Sequence, residues 1–252
     1  MPFNCDAVHF DGSSYLRTAS LTSADSDGYF AASVWFKYNE GWGNVPLWIA
    51  DPSQYVNLGN IDEGAPGQLS IQFGLADSSA TNFIEMFTDD TTTDVWHHLL
   101  VAAKMTETAG NKIIKAFIDD ADVSNAFSDA TGSWVPGFNG LEFLIGGDTF
   151  GNNFAGDLFD VWIAPNVNLL TAGTISEATR RKFITAGGCP VDLGANGETP
   201  TGSSPVVFFH GSASAFATNL GTGGAFTLTG SLTDAVGPCC TGATWVPQIR
   251  MF

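Results

Sequence analysis

Basic residues are scarce in this chain. Nine Lys plus Arg stand against 26 Asp plus Glu, a formal net charge of -17. A surface this acidic repels phosphate backbones, so nucleic acid is not an expected partner. Long apolar runs are missing too. No stretch reaches the roughly 18 residues of a membrane-spanning helix, and no membrane insertion is expected. No secretory signal is visible: after Met1, PFNCDAVHF has neither a basic start, nor an apolar run, nor a small-residue cleavage site. The expectation is a chain that stays where it is made or leaves by another route, such as viral assembly followed by lysis.

Cysteine is sparse. Cys5, Cys189, Cys239 and Cys240 lack CxxC spacing and have no His nearby in sequence, which argues against zinc. Cys239 and Cys240 cannot readily pair with each other. Two long-range bridges from them to Cys5 and Cys189, or reduced thiols in a cytoplasm, both stay open. No GxSxG, HExxH, Walker A or Rossmann fingerprint occurs. GGDTFGNN is Gly-rich, but no helix follows it to cradle a phosphate.

What is present is strand-forming sequence. Hydrophobic content is 44%, with 20 Phe and 7 Trp, enough for a sizeable core, and 29 Gly and 11 Pro punctuate it. The central stretch is LEFLIGGDTFGNNFAGDLFDVWI, residues 141–163, two apolar strands joined by a Gly/Asn loop. VHFDGSSYL reads as a strand turning at Asp11-Gly12, and YFAASVWFKY as a strand with aromatics on both faces. VWHHLLVAA and NKIIKAFI read as a hairpin. About ten strands precede residue 163. Thr174 with Glu177 three residues on suggests a capping box opening one short helix that stops at Gly187-Gly188. The expected fold is all-β: a two-layer antiparallel β-sandwich, or jelly roll, with one short helix. Residues 1–190 would form the sandwich. Residues 191–252 would be a linker and C-terminal strands completing it, with an apolar tail.

The order FDGSSYL, ASVWFKY, VWHHLLVAA, IKAFIDD, FAGDLFDVWIAPNVNL and a short helix resembles the laminin-G-like jelly roll of the concanavalin A-like lectin/glucanase superfamily. The matching phrases are Trp96-His97-His98 leading to the Asp119-Asp120 turn, then Gly156, Phe159, Asp160, Val161 and Ile163. PVVFFHGSASAFATNLGTGGAFTLTGSL resembles a segment that opens many members, and here it comes last. Similar domains occur in tailed-phage virion proteins, which implies a virion-surface setting for a protein made in the host cytoplasm.

The glucanases of that superfamily carry paired carboxylates on one strand, as glycoside hydrolysis requires. Here Glu40, Glu63, Glu85, Glu107, Glu142, Glu177 and Glu198 form no such motif, so a non-catalytic protein is expected. His97 and His98, adjacent on a strand, point to opposite faces and cannot share a metal; one is expected buried and the other exposed. The resemblance implies calcium in rim loops, where Asp148, Asn152, Asn153 and Asp157 supply hard oxygens, with Asp25 and Asp27 as a second cluster. Glycan ligands on a host surface would use an aromatic platform with amide and carboxylate partners: Trp42, Asn44, Trp48 and Asp51, with Trp134 as a second group. The apolar end TWVPQIRMF suggests self-association or contact with other virion proteins.

Overall fold

The computed structural model describes residues 6–22, 28–38, 48–50, 54–61, 69–75, 83–88, 93–105, 112–124, 128–129, 138–147, 151 and 153–239. For 48–50, 54–61, 83–88, 128–129 and, Ile71 excepted, 69–75, the description is of the backbone path. The strands begin with β1 (Asp6–Asp11), β2 (Tyr15–Thr18), β3 (Tyr29–Tyr38), β4 (Trp48–Ala50), β5 (Gln54–Ile61) and β6 (Leu69–Leu75). They continue with β7 (Phe83–Thr88), β8 (His97–Lys104), β9 (Ile113–Ile118), β10 (Ala121–Asp122), β11 (Ser128–Asp129) and β12 (Phe143–Ile145). β13 (Ala155–Pro165), β14 (Leu170–Thr171) and β15 (Thr174–Ile175) precede helix α1 (Glu177–Arg180). β16 (Val207–Phe209), helix α2 (Ala213–Phe216), β17 (Thr227–Thr229) and β18 (Thr233–Val236) follow.

Two antiparallel sheets form the sandwich expected from the sequence. One runs β10-β9-β8-β3-β13-β1-β18, with β16 also on β13; the other runs β11-β7-β6-β5-β4-β12-β2-β17. We call them the first and second sheets. In β3, Phe30, Ala32, Val34 and Phe36 enter the main core with Val8, Phe10, Leu158 and Ile145. Ala31 and Trp35 alternate onto the other face, as the two-residue period of a strand dictates. That other face is covered as well. Leu169, Ile175, Phe183 and Leu193 pack on it against Leu100, Phe117, Trp162 and Phe208. The first sheet is therefore a middle layer, which is why all but the first residue of β13 are buried.

Several local readings change. The strands joined within 141–163, and those joined at Asp11-Gly12, do not pair with each other: β12 and β2 lie in the second sheet, while β13 and β1 lie in the first. Both turns are corners that carry the chain between layers. The VWHHLLVAA/NKIIKAFI hairpin is present as β8–β9, with Leu99 opposite Ile118. The helix is capped by Ser176, whose hydroxyl accepts from the Thr179 N–H, and not by Thr174, which sits in β15. Ser176 wins because the Thr174 backbone is committed to Thr171 across the β14–β15 ladder. α2 is a second short helix, where the sequence suggested one only, and it buries Phe216.

Arg180 and Arg181 clamp α1 onto the first sheet: each bonds one oxygen of Asp120 at 2.5 Å. Arg180 also stacks 4.4 Å above the Phe117 ring. Asp120 is in the left-handed region (φ 69°), so the turn after β9 is shaped to present that carboxylate. Cys189 and Cys239 form a disulfide, one of the pairings that the sequence left open. Cys5 and Cys240 lie outside the described residues.

Candidate functional site

The excursion through α1 covers the outside of the first sheet; the other broad face is the non-core face of the second, which is covered at β12, where Leu144 is buried. Its composition follows from register. Leu16, Ile145 and Ile71 are core residues, so their strand neighbours alternate to the opposite face. Following paired positions across the sheet gives one continuous row. Thr227 lies opposite Arg17, Arg17 opposite Leu144, and Leu144 opposite Ile49. Ile49 lies opposite Asn57, Asn57 opposite Gln72, Gln72 opposite Glu85 and Glu85 opposite Ser128.

The row thus places Asn57, Gln72, Glu85 and Ser128 side by side on four neighbouring strands, about 4.8 Å apart. Tyr55, opposite Gly74, and Phe83, likewise opposite Gly74, share that face, as does Phe87, opposite Ser70. By residue type these register positions carry two amides, a carboxylate and a hydroxyl, and three aromatic residues hold positions on the same face. Sequence reasoning missed this set because each residue is an ordinary polar position in an alternating strand. The only signal was that such a position recurs at the middle of three successive strands.

The residues proposed from sequence distribute differently. Trp42, Asn44, Asp51, Trp134, Asp148 and Asn152 lie outside the described residues, as do Asp25 and Asp27. Trp48 opens β4 at a register position opposite Ile145 and Leu58, in the row of the core residues Leu16 and Ile145. Asn153 closes a bridge with Gly147. Its Oδ1 is buried without a hydrogen-bond partner among the described residues, and a Cβ on Gly147 would lie 2.5 Å from it.

An orphan oxygen suits a calcium ligand, so Asn153 fits the set implied by the resemblance. Asp157 does not. It belongs to β13, 5% exposed, with Oδ1 2.7 Å from His9 Nδ1 and Oδ2 2.5 Å from Lys37 Nζ. Both of its oxygens are already engaged on the outer face of the first sheet, one by a histidine and one by a lysine.

Solved structures share this architecture. A heptameric SAP-like pentraxin from Limulus polyphemus superposes with a TM-score of 0.54 at 10% identity, covering 94% of this chain and 98% of that one. A "putative carbohydrate binding protein" from Bacteroides ovatus gives a TM-score of 0.59 at 13% identity, covering 95% of this chain and 62% of that one. Domains LG4-5 of the mouse laminin alpha1 chain give 0.46 at 12% identity, covering 66% and 46%. The first two superpose over nearly the whole of this chain, so the fold is the antiparallel β jelly roll that they share. No protein-family profile matches the chain, and no curated protein sequence matches it.

The histidines of this jelly roll are structural anchors of its first sheet. His97 and His98 are both buried, against the expectation that one is exposed, because the sheet is covered on both faces. His97 Nδ1 lies 2.7 Å from Asp119 Oδ2, and His98 Nε2 lies 2.8 Å from Ser33 Oγ. Burial lowers the His98 pKa to about 4, so that ring stays neutral, and its Ser33 partner is sealed from substrate.

His210, the residue after β16, meets Asp160 at 2.5 Å where β13 bulges against β3. Asp160 has φ 48°, the left-handed geometry of such a bulge. Burial raises the Asp160 pKa, and the bond to Asp160 raises that of His210, with Asp192 and Asp6 adding to it. Both groups are more readily protonated folded than unfolded. Their stabilisation is therefore complete on the acid side and is lost as pH rises through the elevated His210 value, above 6.5. Urea midpoints measured from pH 6 to pH 9 are expected to fall with pH, and Asp160→Asn is expected to flatten that slope. An unchanged slope in the variant would exclude the pair as its source.

Proposed function

We propose that this protein is a non-catalytic, lectin-like glycan-binding module whose binding surface is the non-core face of the second sheet. The observation that carries the proposal is the cross-strand row Asn57–Gln72–Glu85–Ser128 with Tyr55, Phe83 and Phe87 on the same face. Sugars present hydroxyls that both donate and accept, together with apolar ring faces, and this row with its aromatics complements both. Its non-catalytic character is supported by the charge pattern. Glu85 is the single carboxylate in the row, whereas glycoside hydrolysis works through two.

A calcium site at Asp148, Asn152 and Asn153 belongs to the proposal, with Asn153 Oδ1 as its support. Display on a virion surface, on capsid or tail, and self-association through residues 244–252 belong to it as the setting.

The test is a glycan array with the purified chain, run with calcium and again with a chelator. Specific binding is expected, and its loss on chelation would assign calcium a part in it. The double variant Asn57→Ala/Gln72→Ala should weaken the best ligand by roughly 10- to 100-fold, the worth of two hydrogen bonds. Thr171→Ala, on β14, should not. Equal affinity in all three proteins would remove the row from the site.

A further inference from the structure

The sheet face proposed above also implies which glycans it accepts, an inference that rests on that reading. Each described cation of this chain is already engaged. Arg17 pairs with Glu142, Lys37 with Asp157, and Lys115 lies 3.8 Å from Asp122. Arg180 and Arg181 share Asp120, and Lys182 donates to the Pro200 carbonyl at 2.7 Å. Lys104 and Lys112 are partnered as well, and the ninth basic residue, Arg250, lies outside the described residues.

An acidic sugar is held by a cation or by several converging N–H donors. Here the row has a carboxylate, Glu85, between Gln72 and Ser128. Arg17, the basic member of the row, pairs with Glu142, the residue before β12, and is separated from the polar four by Leu144 and Ile49. The net charge of -17 adds a repulsive field over the whole surface.

We infer that the site selects uncharged, hydroxyl-rich glycans and rejects those bearing carboxylate, sulfate or phosphate, with Glu85 as the specificity-determining residue. A carboxylate accepts hydrogen bonds from neutral sugar hydroxyls. It has nothing to donate to an anionic group and repels it at the same distance.

Matched pairs of oligosaccharides test this, each a neutral glycan that binds the full chain and its sialylated or sulfated derivative, titrated with a chelator present to prevent bridging by divalent cations. At low salt the neutral member is expected to bind at least about tenfold more tightly, the gap shrinking in 1 M salt, where the screening length is about 3 Å. Glu85→Gln, an isosteric change, is expected to narrow the neutral-to-acidic ratio severalfold, which a loss of folding would not do. Acidic members that bind as tightly as neutral ones under chelation would overturn the selectivity and leave the glycan reading standing. A ratio unmoved by Glu85→Gln would overturn the role of that residue. Absence of binding to every glycan, neutral and acidic, would overturn both readings together.

Discussion

Trp162→Ala is expected to destabilise the protein by about 3–5 kcal/mol, the range for removing a fully buried Trp. Trp162 is 0% exposed, in the second half of β13, opposite Ser33 on β3 and Phe208 on β16. It meets the Phe183 ring edge-on at 5.2 Å, and its indole N–H donates to the Gly197 carbonyl at 2.8 Å. That carbonyl can approach because residue 197 is glycine: φ is 73°, and a Cβ there would come within 3.0 Å of Phe208, Pro205 and Trp162. One side chain thus joins the sheet, the turn beyond α1 and the Gly/Pro/Ser/Thr-rich stretch that resembled a linker. Trp162→Phe should cost less, keeping the ring contact while losing the hydrogen bond, worth about 1 kcal/mol. Urea unfolding monitored by circular dichroism measures both. A cost under about 1 kcal/mol for the alanine variant would mean that the covering layer does not pack on the first sheet.

How much of this was legible in sequence depends on how local the deciding interaction is. The β8–β9 hairpin was legible because two long alternating strands flank a turn. The β1–β2 and β12–β13 corners were not, since a DG or GG turn looks the same whether its strands pair or diverge to two sheets. At Gly146 the deciding contact is remote in sequence: a Cβ would lie 2.6 Å from the Phe10 ring. The two histidines are buried by different faces: His97 stacks on Phe36 on the core face, whereas His98 lies under the outer cover beside Trp35, which packs with Ile184 from some 86 positions later. Alternation also hid the polar row, because register between β5, β6 and β7 is needed to see that Asn57, Gln72 and Glu85 are neighbours. Asp157 misled for the opposite reason. It looks like a loop residue beside GNN, yet β13 starts two residues earlier and its partners come from β1 and β3.

Loss of the Cys189–Cys239 disulfide should cost about 4 kcal/mol, because the bridge closes a long loop, the two cysteines being 50 residues apart. The enclosed segment carries β16, α2, β17 and β18, and the edge strand β18 has most to lose. It is four residues long, pairs on one side with β1, and exposes 54% of Val236. Its other described ties include the packing of Ala235 on the Trp35–Trp96 cluster, the Trp96 indole on the Val236 carbonyl at 3.2 Å and the Ala213 N–H on Asp234 at 2.7 Å. The opposite anchor is firmer: Thr185 and Cys189 exchange backbone and side-chain hydrogen bonds in the turn after α1. Reduction should therefore loosen the Cys239 end first, and hydrogen exchange should rise in β18 and β1 before it rises in β13. Cys189→Ala and Cys239→Ala should each cost the same, and the double variant no more than either, since all three remove one cross-link. Additive losses would show that the two thiols act separately and that the bridge does not form in solution.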